Sequence, residues 1–225
     1  MSVLLERRFV STIMSQSPQT QIRIRQNHIQ NLFLGREANI GFSSFFLDGL
    51  LSCCNYFGGL QLNVEIIRKM TNPSCRFTDH FRNFEHVTAV QRIFGESTQA
   101  VLAVLPIEFT NDTIYMRVDY NGCLLINPEY FATGNFTDLY LDVIHELVHV
   151  RQVMNGKNCN HSLRYVERPL EIEAYRTTVE EARALGLNET QILEYLESDL
   201  IDTDELRLLA EALEVTSEVV STEDD

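Results

Sequence analysis

A chain of 225 residues with 44% apolar residues can build a core, which excludes a disordered tail. Its net charge of −14 is uneven: residues 1–100 carry 10 Lys/Arg and 7 Asp/Glu, residues 101–225 carry 8 and 25. That acidic second half argues against nucleic-acid binding there.

No secretory signal is expected, because Val3-Leu4-Leu5 is cut off by Glu6-Arg7-Arg8. The first 26 residues are rich in Arg, Ser and Gln and faintly resemble an organelle transit peptide. No run is long enough to span a membrane; the longest, around Phe42 to Leu51, is broken by Asp48 and Gly49. Five cysteines (Cys53, Cys54, Cys75, Cys123 and Cys159) are odd in number and irregular in spacing, so reduced thiols and a cytoplasmic location are expected. Cys53-Cys54 reads as a pair of small buried side chains.

Residues 1–98 read as a mostly helical N-terminal lobe. Ser17-Pro18 starts a helix that runs to about Leu34. Ser43 or Ser44 starts another, ending before Gly58-Gly59. A third runs from about Val64 to Met70, stopped by Asn72-Pro73, and a fourth from about Phe84 to Phe94, ending at Gly95. His28, His80 and His86 have no partner at ligand spacing and are assigned surface or hydrogen-bonding roles.

Residues 99–216 read as a second domain, α+β in class. Val101–Leu105 is an apolar run of strand length, Ile114–Val118 is rich in β-formers, and Cys123–Asn127 is a returning strand after Asn121-Gly122, a strong hairpin signal. These predict a small antiparallel meander packed on the helix that follows. The meander's edge could accept an extended peptide. That helix is expected over Asp138–Gly156, with Thr137 as cap and Asn155-Gly156 as its end. After a polar loop holding Cys159 and His161, Pro169 starts a helix to Leu185. Asn188 and Gln191 form a capping box for a helix over about Glu189–Leu196, and Thr203 can cap a last one to Leu213. Residues 217–225 read as an acidic tail.

The long helix contains His145-Glu146-Leu147-Val148-His149. Residues four apart share a helix face, so two imidazoles can reach one zinc ion. Glu146 lies about 100° further round, which suits a base acting on water better than a third ligand. Leu139, Val143, Ile144, Leu147, Val150 and Met154 give the helix an apolar surface to bury. A catalytic zinc takes three protein ligands and leaves a position open. The Pro169 helix region offers Glu167, Glu171 and Glu173. Glu171 and Glu173 are two apart and cannot both face the metal; Glu173 is preferred, with Glu171 the alternative.

The motif followed by a glutamate on a downstream helix resembles the gluzincin zinc metallopeptidases. Leu124-Leu125-Ile126-Asn127-Pro128 ahead of it and Glu171-Ile172-Glu173-Ala174 behind it resemble the ImmA/IrrE branch. There, a strand ending in Asn precedes the zinc helix and the glutamate before Ala is the ligand, which maps onto Glu173. The resemblance covers roughly residues 101–185. It implies a zinc-dependent peptidase with His145, His149 and Glu173 as ligands and Glu146 as base, acting on a specific intracellular protein. In thermolysin-like members an acid four residues after the ligand glutamate supports a zinc histidine. Here that position is Thr177, and Asp142, one turn before His145, is the expected substitute. Tyr165, Tyr175 and His161 are candidates for stabilising an oxyanion. Two further readings use the same residues: a non-catalytic, zinc-stabilised regulatory or protein-binding module, and a metal-free helical interaction protein.

Overall fold

The structure is a computed structural model that describes residues 55–57, 60–69, 74–111, 114–157, 162–198 and 201–216. The helices expected after Ser17 and after Ser43 or Ser44, together with His28, Cys53, Cys54, Cys159, His161 and the tail 217–225, lie outside these residues.

Strands β1 (Asn55–Phe57) and β2 (Leu60–Leu62) form an antiparallel pair. Residues expected to open a helix at Val64 instead form β3 (Glu65–Ile66). Three of the four residues Val64–Ile67 are β-branched, and such side chains favour extended backbone. Next come β4 (Ser74–Arg76), the one-turn helix α1 (Phe77–His80) and β5 (Phe81–Arg82), which pairs antiparallel with β3. A 3-10 turn at Phe84–His86 leads into α2 (Thr88–Phe94), closed at Gly95 with φ +58°. The described part of the expected helical lobe is thus as much strand as helix.

The apolar run at Val101–Leu105, expected as a strand, belongs to α3 (Thr98–Val104). Thr98, Val101, Leu102 and Leu105 are buried, the i, i+3, i+4, i+7 spacing of one helix face. The strand falls just after it, as β6 (Pro106–Phe109). The hairpin forms where expected, from β7 (Met116–Val118) and β8 (Leu124–Ile126). At its turn Gly122 has φ +82°, and Asp119 Oδ1 accepts from the amides of Asn121 and Cys123. The sheet order is β4-β6-β8-β7, with β6 and β8 parallel and the other two pairings antiparallel. It is therefore mixed rather than the expected antiparallel meander. The chain leaving β6 passes β8's position before turning back, so β8 runs the same way as β6.

The remaining helices follow their sequence signals closely. Asn127 caps α4 (Pro128–Thr133) through the amides of Glu129 and Tyr130. Asn135 caps α5 (Phe136–Met154), with Thr137 one residue inside the helix rather than at its cap. After a 3-10 turn at Tyr165–Glu167, α6 (Pro169–Ala184) starts on its proline. The Asn188/Gln191 box starts α7 (Glu189–Leu196) as expected. Helix α8 (Thr203–Ala212) is started by an Asp202/Glu205 box rather than by Thr203.

Among the described residues, the core is arranged round α5. Its Leu139, Tyr140, Leu141, Val143, Ile144, Leu147 and Val148 have no solvent exposure; Met154, at its last position, stays exposed. Helices α2 and α6 and strand β7 pack against it. One hydrophobic cluster extends from Val64 to Val215, within a compact unit beginning at Ser52. The expected division at 98/99 therefore runs through a single core. The class is α+β. Among the described residues, no helix is long and apolar enough to cross a membrane.

Candidate metal centre

Helix α5 is buried on most sides, so its polar residues sit in a dry environment. His145 and His149, one turn apart, have ring centroids 4.8 Å apart and Nε2 atoms 3.0 Å apart. Both nitrogens thus face the same point. Glu146 is 8% exposed, and ligand atoms of His145, Glu146 and His149 all lie within 4.8 Å of one another.

Helix α6 brings in a third donor, and it is Glu171. Its Oε2 lies 3.5 Å from His145 Nε2 and 3.2 Å from His149 Nε2. That oxygen is buried and makes no hydrogen bond. The separations of 3.0, 3.2 and 3.5 Å suit donors sharing one ion. Atoms about 2.0–2.1 Å from a common centre at tetrahedral angles stand roughly 3.3 Å apart. Two imidazoles and a carboxylate are a donor set that suits zinc. Glu171 is in the first turn of α6, where the helix N-terminus favours a negative group.

The expected ligand Glu173 is not part of this convergence. It faces the other side of α6, held by Arg151 Nη2 at 2.6 Å, Lys157 Nζ at 3.2 Å and Gln152 Nε2 at 3.0 Å. Two residues along a helix is about 200° of rotation, so one carboxylate faces α5's histidines while the other faces its outer edge. Asp142 likewise does not support His145. It accepts from Tyr130 Oη at 2.5 Å and Tyr195 Oη at 3.0 Å. His145 Nδ1 has no hydrogen-bond partner, and the ring of Tyr175 packs against that imidazole with centroids 4.4 Å apart. His149 does have a support, Gln152, whose Oε1 is 2.7 Å from Nδ1. The signal for Gln152 was present in the sequence: a lone amide on the apolar face of the helix, three residues after a histidine.

Charge in the metal-free site is shared unevenly. Burial opposes a charge on His149, but Glu171 and Glu146 raise its pKa to about 9. Burial also pushes against ionised Glu171, yet the two imidazoles hold it well below the ordinary carboxylate range. His145 is lowered, by burial first and by its cationic neighbour His149. Burial pushes the Glu146 carboxyl up to about 8, against a pull from His149 and from the backbone of Val118 on β7. The site thus combines an ionised carboxylate, imidazole nitrogens on one point and, beside them, a carboxyl that keeps its proton up to about pH 8 in the metal-free protein. Tyr165 and Tyr175, their hydroxyls 3.3 Å apart, are held un-ionised mainly by burial.

Comparison of the chain with family models, curated proteins and solved structures returned no match.

Proposed function

We propose that the chain is a zinc-dependent metallopeptidase that hydrolyses peptide bonds in a specific intracellular protein. The observation that carries this is the convergence of His145 Nε2, His149 Nε2 and Glu171 Oε2 within 3.5 Å of one another, with the buried Glu146 carboxyl alongside. His145, His149 and Glu171 would hold the ion. The chemistry it supplies when bound is Lewis acidity: a bound water's pKa falls to roughly 7 and a carbonyl is polarised.

The protein's own residues supply the rest. Glu146 takes the proton from the attacking water and returns it to the leaving amine. A cation held beside Glu146 would draw its carboxyl below the metal-free value of about 8, and its Oε2, buried without a partner, would then be free to accept. Tyr175, packed on His145, and Tyr165, bonded to Tyr175, are O–H donors on the wall of the site. Strand β7 ends the β4-β6-β8-β7 order and bears Val118 beside Glu146, which supports an extended peptide as substrate, laid along that edge.

A closed structural zinc site uses four protein ligands. Three donors with a buried, proton-accepting carboxyl next to them favour turnover over the zinc-stabilised binding module. The test is Glu146→Gln. It should keep about one zinc per chain by elemental analysis while cleavage of a peptide library falls at least about 100-fold. Undiminished cleavage by this variant, or a parent without stoichiometric zinc, overturns the reading.

A further inference from the structure

Glu173 makes no approach to the imidazoles, yet its position relative to them is specific. Gln152, 2% exposed, lies between them. Its Nε2 donates to the Leu170 carbonyl at 3.0 Å and to Glu173 Oε2 at 3.0 Å. A backbone carbonyl can only accept, so the amide nitrogen must be on the Leu170 side. The amide oxygen is left for His149 Nδ1, 2.7 Å away. An accepting oxygen there requires a proton on Nδ1, so the neutral ring has its lone pair on Nε2, the nitrogen that faces His145 and Glu171. Arg151 and Lys157 hold the Glu173 side chain in place by ion pairs.

From this geometry we infer that Gln152, orientated by Glu173 and the Leu170 carbonyl, is a positioning residue that fixes the metal-binding tautomer of His149. Glu173 thus acts on the site two hydrogen bonds away. The two outermost members of the chain, Arg151 and Lys157, are partly exposed, so the tautomer lock is anchored at the surface of the α5–α6 pair. The inference rests on the zinc reading proposed above.

Zinc affinity, measured by competition with a chromophoric chelator on the full chain, tests it. Gln152→Leu removes the acceptor and should weaken zinc binding roughly 10- to 100-fold. Gln152→Met, which keeps the length of the side chain without an amide, should weaken it by a similar factor. In long-range proton–nitrogen spectra of the metal-free parent at about pH 10, His149 should carry its proton on Nδ1, and in the methionine variant the Nε2 tautomer should appear beside it. Zinc affinity equal to the parent's in either folded variant overturns the inference. So does a parent whose neutral His149 carries its proton on Nε2; this arm stands even where neither variant folds. A parent that binds no zinc overturns the functional reading itself, whereas a zinc-binding parent matched by the leucine variant overturns only this inference.

Discussion

Which of two glutamates reaches the histidines is settled by the roll of α6, and that roll is written in its buried positions. Glu171, Ala174, Tyr175, Thr178, Val179 and Ala182 are buried and lie on one helical stripe; Arg176, Thr177 and Glu180 share the other side with Glu173. The apolar periodicity therefore pointed to Glu171, whereas the match to a short motif pointed to Glu173. Glu171→Ala should lower zinc affinity more than about 100-fold, since a ligand costs more than an outer-shell partner. Glu173→Ala should keep stoichiometric zinc with only a weaker constant; elemental analysis after dialysis distinguishes the two. The same residues set a pH dependence. In the metal-free protein His149 carries its proton below about 9, and zinc must displace it. Glu171 is already ionised and His145 already inclined to neutrality, so among the three ligands only His149 gives up a proton. In Glu146→Gln, which removes a second proton held up to about pH 8, apparent zinc affinity should rise with pH by up to about tenfold per unit between pH 7 and 9, then level. Chelator competition at three pH values measures the slope, and a flat profile would contradict the assignment of that proton.

At the level of elements, what the sequence revealed depended on whether the signal was local. Capping at Asn188/Gln191, the Asn121-Gly122 turn and the Pro169 helix start are interactions over a few residues, and all three appear as expected. The run at Val101–Leu105 was ambiguous because continuous apolar stretches have no visible period; the decision came from Thr98 and Leu105, which complete a helix face against the core. The parallel pairing of β6 with β8 was not legible at all, because pairing partners across a sheet are chosen by tertiary packing. Long-range ties of this kind also include Arg68, whose Nη1 donates to the carbonyls of Phe131, Ala132 and Gly134 at 3.1, 3.2 and 2.8 Å. These groups end α4 and have no intrahelical donor. Arg68→Ala should cost about 1–3 kcal/mol, lowering the melting temperature by roughly 2–12 °C. Arg82→Ala breaks only an exposed pair with Glu65 and should leave the melt within about 1 °C. Equal melting shifts for the two would show that the α4 carbonyls do not depend on Arg68.

Across the described part of the molecule, three helices meet on one carboxylate, that of the half-buried Asp142 of α5, which accepts from Tyr130 of α4 and Tyr195 of α7. Sequence reasoning reserved this acid for His145, because it sits one turn before the motif. What it could not foresee was that Tyr195, 53 residues on, would claim it. Burial raises the Asp142 pKa to about 6, the two tyrosine hydrogen bonds pulling the other way. In the unfolded chain the group titrates near 3.9. Below that both states hold the proton and the fold bears no penalty. Between about 4 and 6 the unfolded chain has lost its proton while the folded one keeps it, so stability falls as pH rises. Above 6 the fold carries a buried carboxylate, at a cost of about 2–3 kcal/mol. Asp142→Asn removes the charge but keeps an oxygen to accept from one tyrosine and an amide to donate to the other hydroxyl. The stability of the parent relative to this variant should therefore decline by about 2 kcal/mol between pH 4.5 and 7, in urea unfolding with chelator present. His149 and Glu171 titrate in both proteins and cancel, and Glu146 cancels but for the upward push of the Asp142 charge, a smaller influence than its burial. A parent-to-variant difference that stays constant with pH would mean that the carboxylate at the junction of α4, α5 and α7 is ionised in the folded state throughout, and that its tyrosines outweigh its burial.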